Sequence, residues 1–330
     1  MYKRQKLIRS PVILVLDARG MTRGIAPLIL GYQAFDPEIR IAGVILNQLG
    51  GSRHEAKLRA VIEHYTDVRV IGGVHRHPEL EIIERHLGLI PSNEEDASTS
   101  RIRQIRDIIA SEVDLDGLQS VAGSTPLHHE PATPLSVKSG DRVRIGIARD
   151  TAFGFYYPDD LIALEQAGAK LVDINTIADT SLPDVDGLFI GGGFPETRMQ
   201  ALAGNTTMRE QIRTAIEAGL PAYAECGGLM YLCRSLRWKD QCVEMAGVIP
   251  ADCVMHLRPQ GRGYVRLTET ASIPWGGPAP AGDIADHELQ YSALENISGP
   301  LEFAYDVVRG TGVDGSHDGI VIHNLLASYT

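Results

Sequence analysis

The feature that most constrains the fold is an alternation, repeated twice along the chain, of short apolar runs with segments of helical periodicity. In the first part, Pro11–Asp17, Ile41–Asn47 and Val68–Gly72 read as strands, with helices expected near residues 24–35 and 52–65. Strands separated by helical crossovers pair in parallel, so this pattern predicts a parallel sheet with helices on its faces. The second alternation runs through strands at Arg142–Ala148, Lys170–Asn175 and Gly187–Gly191, with a helix over 158–167. A single long helix is then expected over 196–218, leading into a strand at Leu220–Glu225. Beyond about Val243 the helical pattern disappears and Gly and Pro multiply, which predicts mainly β structure and loops. Between the two alternations, residues 92–100 are polar and a helix is expected over 101–111. Gly117–Gly140, rich in Ser, Pro, His and Gly, reads as a linker. The chain therefore divides into 1–95, 96–140 and 141–330. The fold class is α/β, with two doubly wound units.

Charge and cysteine usage narrow the function. A formal net charge of −11 over 330 residues argues against nucleic acid or an anionic membrane surface as the main partner. The apolar run Val12–Leu16 after the basic start is too short for a signal-peptide core or a membrane span, which predicts a cytoplasmic protein. The four cysteines, 226, 233, 242 and 253, show neither CxxC pairing nor accompanying His spacing, so no zinc site or disulfide framework is indicated.

One of those cysteines stands apart. In Leu220-Pro-Ala-Tyr-Ala-Glu-Cys-Gly-Gly-Leu-Met-Tyr-Leu232 a strand turns sharply into a helix, and Cys226 sits at the corner. Gly227 and Gly228 let the backbone bend without Cβ clashes. The helix N-terminus is expected to lower the thiol pKa and favour thiolate. A buried structural cysteine is the alternative, and the two glycines weigh against it. Upstream, Gly191-Gly-Gly-Phe-Pro-Glu196 ends a strand in a glycine turn. Amides of Gly192 and Gly193, with that of Gly227, could stabilise a developing oxyanion, as acyl transfer from an amide requires. Alternatively these glycines serve only a tight turn.

A glycine-rich strand end followed by a cysteine corner resembles the class I, or triad, glutamine amidotransferases. The resemblance sharpens on Arg149-Asp-Thr-Ala-Phe-Gly-Phe-Tyr-Tyr-Pro158, Asp184–Glu196, Ala224–Tyr231, Arg262-Gly-Tyr264, His287-Glu288 with Tyr291-Ser292, and Asn324–Tyr329. These look like the cobyrinate a,c-diamide synthase family of cobalamin biosynthesis. Its close relative, the nickel-sirohydrochlorin a,c-diamide synthase of coenzyme F430 biosynthesis, shares most of them. In the first part, Val15–Met21, Ala42–Asn47 and Glu84–Ile90 resemble the later portion of that family's ATP-binding domain, which is P-loop-NTPase-like and of the dethiobiotin-synthetase type.

The resemblance implies an ATP-dependent, glutamine-using amidoligase acting on an acidic tetrapyrrole, with cobyrinate, L-glutamine and ATP as substrates and Mg2+ as cofactor. A homodimer is one assembly open to it. Cys226 is the implied nucleophile. Asp17 fits a magnesium-side carboxylate and Asn47 a base-contacting amide, although either could be a helix cap. Arg258 and Arg262 suit carboxylates of the substrate, with His287 and Glu288 lining the same cleft; the alternative is a solvated basic loop, with Glu288 paired to an arginine. Two features of the family pattern are missing from the sequence. No GxxxxGK[ST] phosphate loop occurs, and the chain stops at Thr330, before the His-x-His motif whose first histidine serves as the cysteine's base. A chain truncated at both ends, and inactive alone, is the resulting expectation, with a non-catalytic tetrapyrrole- or partner-binding fragment as the reading of another class. His323 reads as a partly buried strand histidine, His75 and His77 as a loop feature, and the aromatic run Phe153–Tyr157 as packing between domains.

Overall fold

The computed structural model describes residue 6 and residues 8–81, 95–124, 143–275 and 282–330. These fall into two compact units, the second beginning with the strand at Val143.

In the first unit, strands β1 (Val12–Asp17), β2 (Ile41–Leu49) and β3 (Val70–His75) form a parallel sheet in sequence order. Helices α1 (Ile25–Phe35) and α2 (Ser52–Tyr65) bury Ile25, Ile29, Leu58 and Ile62 against Leu16, Val44 and Leu46 on one face. Ile71, Val74 and Val113 form a separate cluster with Ile13, Ile45, Ile109 and Leu118. Ile109 and Leu118 belong to α3 (Glu95–Glu112) and α4 (Leu115–Ala122). The second of these helices corrects the expected linker, whose first residues are helical. Asp114 accepts the amide of Gly117 at 2.8 Å as an N-cap, and its own amide donates to Ile71 O at 2.8 Å, tying the helix start to β3. The remainder of the expected linker lies outside the described residues, apart from Gly123 and Ser124. His75 and His77 are held by an acid from α3: their ring nitrogens lie 2.8 and 3.1 Å from Glu112 Oε1.

The second unit contains β4 (Val143–Ala148), β5 (Phe153–Phe155), α5 (Pro158–Gln166), β6 (Ala169–Ile174), β7 (Gly187–Ile190) and β8 (Gly192–Gly193). These are followed by α6 (Met199–Gly204), α7 (Thr206–Glu217), β9 (Ala222–Glu225) and α8 (Gly227–Leu232). The β-rich remainder comprises β10 (Cys233–Trp238), β11 (Gln241–Glu244), β12 (Ile249–Met255), β13 (Gly261–Glu269), β14 (Ile284–Gln290), β15 (Ser292–Glu295), β16 (Glu302–Arg309), β17 (His317–Ile322) and β18 (Leu325–Ser328). Among the described residues a nine-stranded sheet runs in the order β14-β13-β16-β17-β18-β9-β7-β4-β6. The part from β18 to β6 is parallel and the part from β18 to β14 antiparallel.

The long helix expected over 196–218 is broken. A one-turn 3-10 segment, Pro195–Thr197, precedes α6, and Asn205 separates α6 from α7 with φ −85° and ψ 67°. Its side chain caps α7 by accepting from Met208 N at 3.3 Å and donates to the carbonyls of Thr176 and Asp179 at 3.0 and 2.9 Å. A side chain with this many local and distant partners outcompetes one more helical turn.

Candidate active site

Strand β9 lies inside the parallel half of the sheet, between β18 and β7. Its carboxyl end therefore opens where α/β sheets place their sites. There the chain turns at Cys226, with φ 47° and ψ −96°, a conformation rare for a residue with a side chain. Gly228 is required by packing, because a Cβ there would lie 2.0 Å from Ile190 O. All six residues of α8 are buried, and the Tyr231 ring meets Phe153 edge-on at 5.5 Å. The Cys226 amide donates to Ser328 O at 2.8 Å, so β18 holds the corner from the other side.

The expected lowering of the thiol pKa is not found. Burial pushes the Cys226 thiol up to about 12, and the carboxyls of Glu225 and Glu196 push the same way, while the Gly227 amide acts to lower it. A six-residue helix has too little dipole to overcome desolvation and two acids. The two carboxyls are themselves displaced. Burial lifts Glu196, which is 3% exposed, to about 7. Burial, then Asp286 and Asp160, lift Glu225 to about 7 as well. A neutral thiol beside two acids poised near neutrality calls for proton transfer during attack rather than a standing thiolate.

The glycine strand meets the corner. A Cβ on Gly227 would lie 2.8 Å from Gly193 N and 3.0 Å from Gly193 O. Gly193 can approach the chain behind it only as glycine, since a Cβ there would lie 1.9 Å from Ala152 O. The cross-strand bond is made by the neighbouring amide, Phe194 N to Ala152 O at 2.9 Å. Gly191 N is occupied by Tyr156 Oη at 3.0 Å, and Gly192 lies opposite Phe155. Of the aromatic run, Phe153 is core within this unit, Phe155 meets Phe194 at 5.3 Å, Tyr156 meets Phe189 at 5.0 Å, and Tyr157 is exposed.

The other expected site residues separate into groups. Arg262 and His287 share one face of the β13–β14 ribbon, where His287 is paired opposite Tyr264 with ring centroids 6.0 Å apart; both are exposed, as is Arg258 in the preceding loop. Among the described residues Glu288 makes no ion pair with an arginine. It is 2% exposed and accepts the amides of Thr311 and Gly312, each at 3.0 Å, so it anchors a turn. His323 is not a partly buried strand residue but an exposed turn residue with φ 53°. It lies at the end of β18 paired with Ala222, whereas Ser328 at the other end pairs with Glu225, roughly 10 Å further along the strand. In the first unit Asp17 and Asn47 face each other across β1 and β2. Asp17 is engaged by Arg19, with Nη2 to Oδ2 at 2.6 Å and Nε to Oδ1 at 3.0 Å, while Asn47 Oδ1 accepts from Gln48 N at 2.9 Å. Sequence reasoning did not single out Glu196, Glu225 or Tyr156, for which the available signal was position: Glu225 beside Cys226, and Glu196 and Tyr156 within shared motifs.

Comparison with known proteins agrees with this architecture. Residues 144–330 match the family described as CobB/CobQ-like glutamine amidotransferase domain. A cobyrinate a,c-diamide synthase of Magnetococcus marinus is 42% identical over 330 residues, covering 98% of this chain and 70% of that protein. Those of Methanosarcina acetivorans and Archaeoglobus fulgidus are 40% and 38% identical, each over 98% of this chain and 69% and 70% of their own lengths. With a glycine-flanked cysteine corner at the end of β9 and identity of this order across nearly its whole length, the chain belongs to the cobyrinate a,c-diamide synthase family.

Proposed function

We propose that the chain performs glutamine-dependent amidation of the a and c carboxylates of cobyrinate, with Cys226 as the residue that releases ammonia from glutamine. The observation that carries this reading is the Cys226 corner itself: a strained, glycine-flanked thiol at the end of a parallel strand, packed against the Gly193 backbone. The sulfur bonds to the carboxamide carbon of glutamine as its proton passes to a base, and the carbonyl electrons move onto oxygen. Amides of Gly193 and Gly227, with Gly192 in the same strand, stabilise that oxyanion. When the carbonyl reforms, the C–N bond breaks and nitrogen leaves as ammonia, having regained the proton. Water then cleaves the thioester to glutamate and free thiol.

ATP activates the acceptor in this reading: a substrate carboxylate takes the γ-phosphoryl group, ADP leaves, and ammonia displaces phosphate to form the amide. Asn47 is the proposed base-contacting residue, and Arg258, Arg262 and His287 the proposed contacts to substrate carboxylates. The residues present do not fit magnesium. Arg19 engages both oxygens of Asp17, and no group of three His, Cys, Asp or Glu among the described residues is arranged to hold a metal ion. No step is therefore routed through that ion. No helix of the described residues is long and apolar enough to cross a membrane, which accords with a cytoplasmic location as part of the proposal.

Cobyrinate is favoured over nickel sirohydrochlorin because the relatives compared carry the former name. Steady-state amidation of the two substrates by the intact enzyme tests this. Exclusive turnover of nickel sirohydrochlorin would overturn the substrate assignment. Within the same assay, Cys226→Ala should abolish glutamine-dependent amidation while retaining amidation driven by ammonium chloride.

A further inference from the structure

The segment from Arg149 to Pro158 has no part in the chemistry above, yet the glycine strand is built on it. Asp150, 8% exposed, accepts the amides of Ala152 and Phe153 at 2.7 and 3.2 Å. It also accepts the amide and hydroxyl of Thr176 at 2.7 and 2.6 Å. One carboxylate therefore pins the turn after β4 to the end of β6. The carbonyl of Ala152, fixed by that turn, receives Phe194 N–H at 2.9 Å and limits how closely Gly193 can approach. On the other side, Tyr156 Oη donates to Ala148 O at 2.5 Å and accepts Gly191 N–H at 3.0 Å. The Tyr156 ring stands so close to Gly191 that a Cβ there would meet it at 2.6 Å. The strand Gly191–Phe194 is thus held at both ends by one motif. Phe194 and Gly191 spend their amides on that motif, and the Gly193 backbone is the part left facing Gly227.

We propose that Asp150 and Tyr156 are positioning residues for glutamine hydrolysis: they set the register of the Gly191–Phe194 strand, and so the distance between the Gly193 amide and the oxyanion formed at Cys226. This rests on the reading of Gly193 and Gly227 as oxyanion donors. Neither side chain has to touch substrate. A displacement of about 1 Å in a donor is enough to lower turnover by up to roughly 100-fold.

The test is Tyr156→Phe in the intact enzyme, which keeps the ring against Phe189 and removes only the clamp, together with Asp150→Asn. The expected result is a fall of roughly 10- to 100-fold in kcat for glutamine hydrolysis, with KM for glutamine changed by no more than about 3-fold. Amidation driven by ammonium chloride should remain at the level of the unsubstituted enzyme. The alkylation rate of Cys226 by iodoacetamide should also stay the same, because displacement at a saturated carbon builds no oxyanion. Glutamine turnover within 2-fold of the unsubstituted enzyme for Tyr156→Phe would overturn the proposal. So would parallel losses of turnover and alkylation, which mean that the corner itself has collapsed. If Asp150→Asn does not fold, Tyr156→Phe decides alone. Retention of glutamine hydrolysis by Cys226→Ala would instead refute the underlying assignment of the nucleophile, an outcome separate from both.

Discussion

Replacing Gly228 by alanine sets two effects of opposite sign against each other. Within a helix, alanine is favoured over glycine by about 1 kcal/mol, so an unobstructed position in α8 would be stabilised. Here the new Cβ would lie 2.0 Å from Ile190 O and 2.9 Å from the Ile190 carbonyl carbon, against ordinary contact beginning near 3.4 Å. Something must therefore move by about 1.4 Å, the difference of those two distances. The obstacle is backbone, and β7 is held on both sides by β4 and β9, so it cannot retreat as a side-chain tip would. Overpacking of this kind costs about 1–3 kcal/mol, occasionally more, which equals or exceeds the propensity gain. If α8 shifts instead, Cys226 shifts with it, and a misplacement near 1 Å lowers turnover by roughly 100-fold. Urea denaturation and glutaminase kinetics of Gly228→Ala should show net destabilisation of up to about 2 kcal/mol together with a large loss of kcat. A variant as stable as its parent and fully active would refute the claim that Gly228 is set by the close approach of Ile190.

Two further outcomes follow from buried carboxyls. Glu288→Ala leaves the amides of Thr311 and Gly312 without their acceptor, so it should cost about 2–4 kcal/mol in chemical denaturation with little change in the KM of any substrate; a rise in substrate KM with unchanged stability would restore its expected cleft role. Glu225 is raised from 4.5 to about 7, so the folded state binds its proton more tightly than the unfolded chain, and the associated stability is lost as pH rises through that window. Glu225→Gln should therefore match the parent near pH 4, below the unfolded value, and exceed it near pH 8 by roughly 1–3 kcal/mol, the upper end being the full shift and the lower allowing for partial exposure; identical pH dependence in the two proteins would refute this.

The parallel sheets and the Cys226 corner were legible because they rest on local signals: apolar runs, helical periodicity and two glycines after a strand. What was not legible depended on partners distant in sequence. The thiol's direction of shift is set by burial with Glu196, thirty residues away, as well as by adjacent Glu225, which a helix-terminus argument cannot weigh. The break at Asn205 is made by carbonyls of Thr176 and Asp179. Glu288 looked like part of a polar motif, but its partners are amides in a later turn, and amides leave no trace in residue type. The start of α4 was partly readable: Asp114 stands three residues before Gly117 as a cap, yet the polar composition downstream hid it.

The central claim is that Cys226 attacks glutamine. Exposing the intact enzyme to a glutamine-analogue chloroketone, then mapping the adduct by mass spectrometry, addresses it directly. Among the four cysteines, one equivalent of label should appear at Cys226, with glutamine-dependent amidation lost in proportion and amidation from ammonium chloride retained. Inactivation with the label at Cys233, Cys242 or Cys253, or full glutamine-dependent turnover after Cys226 is modified, would contradict it.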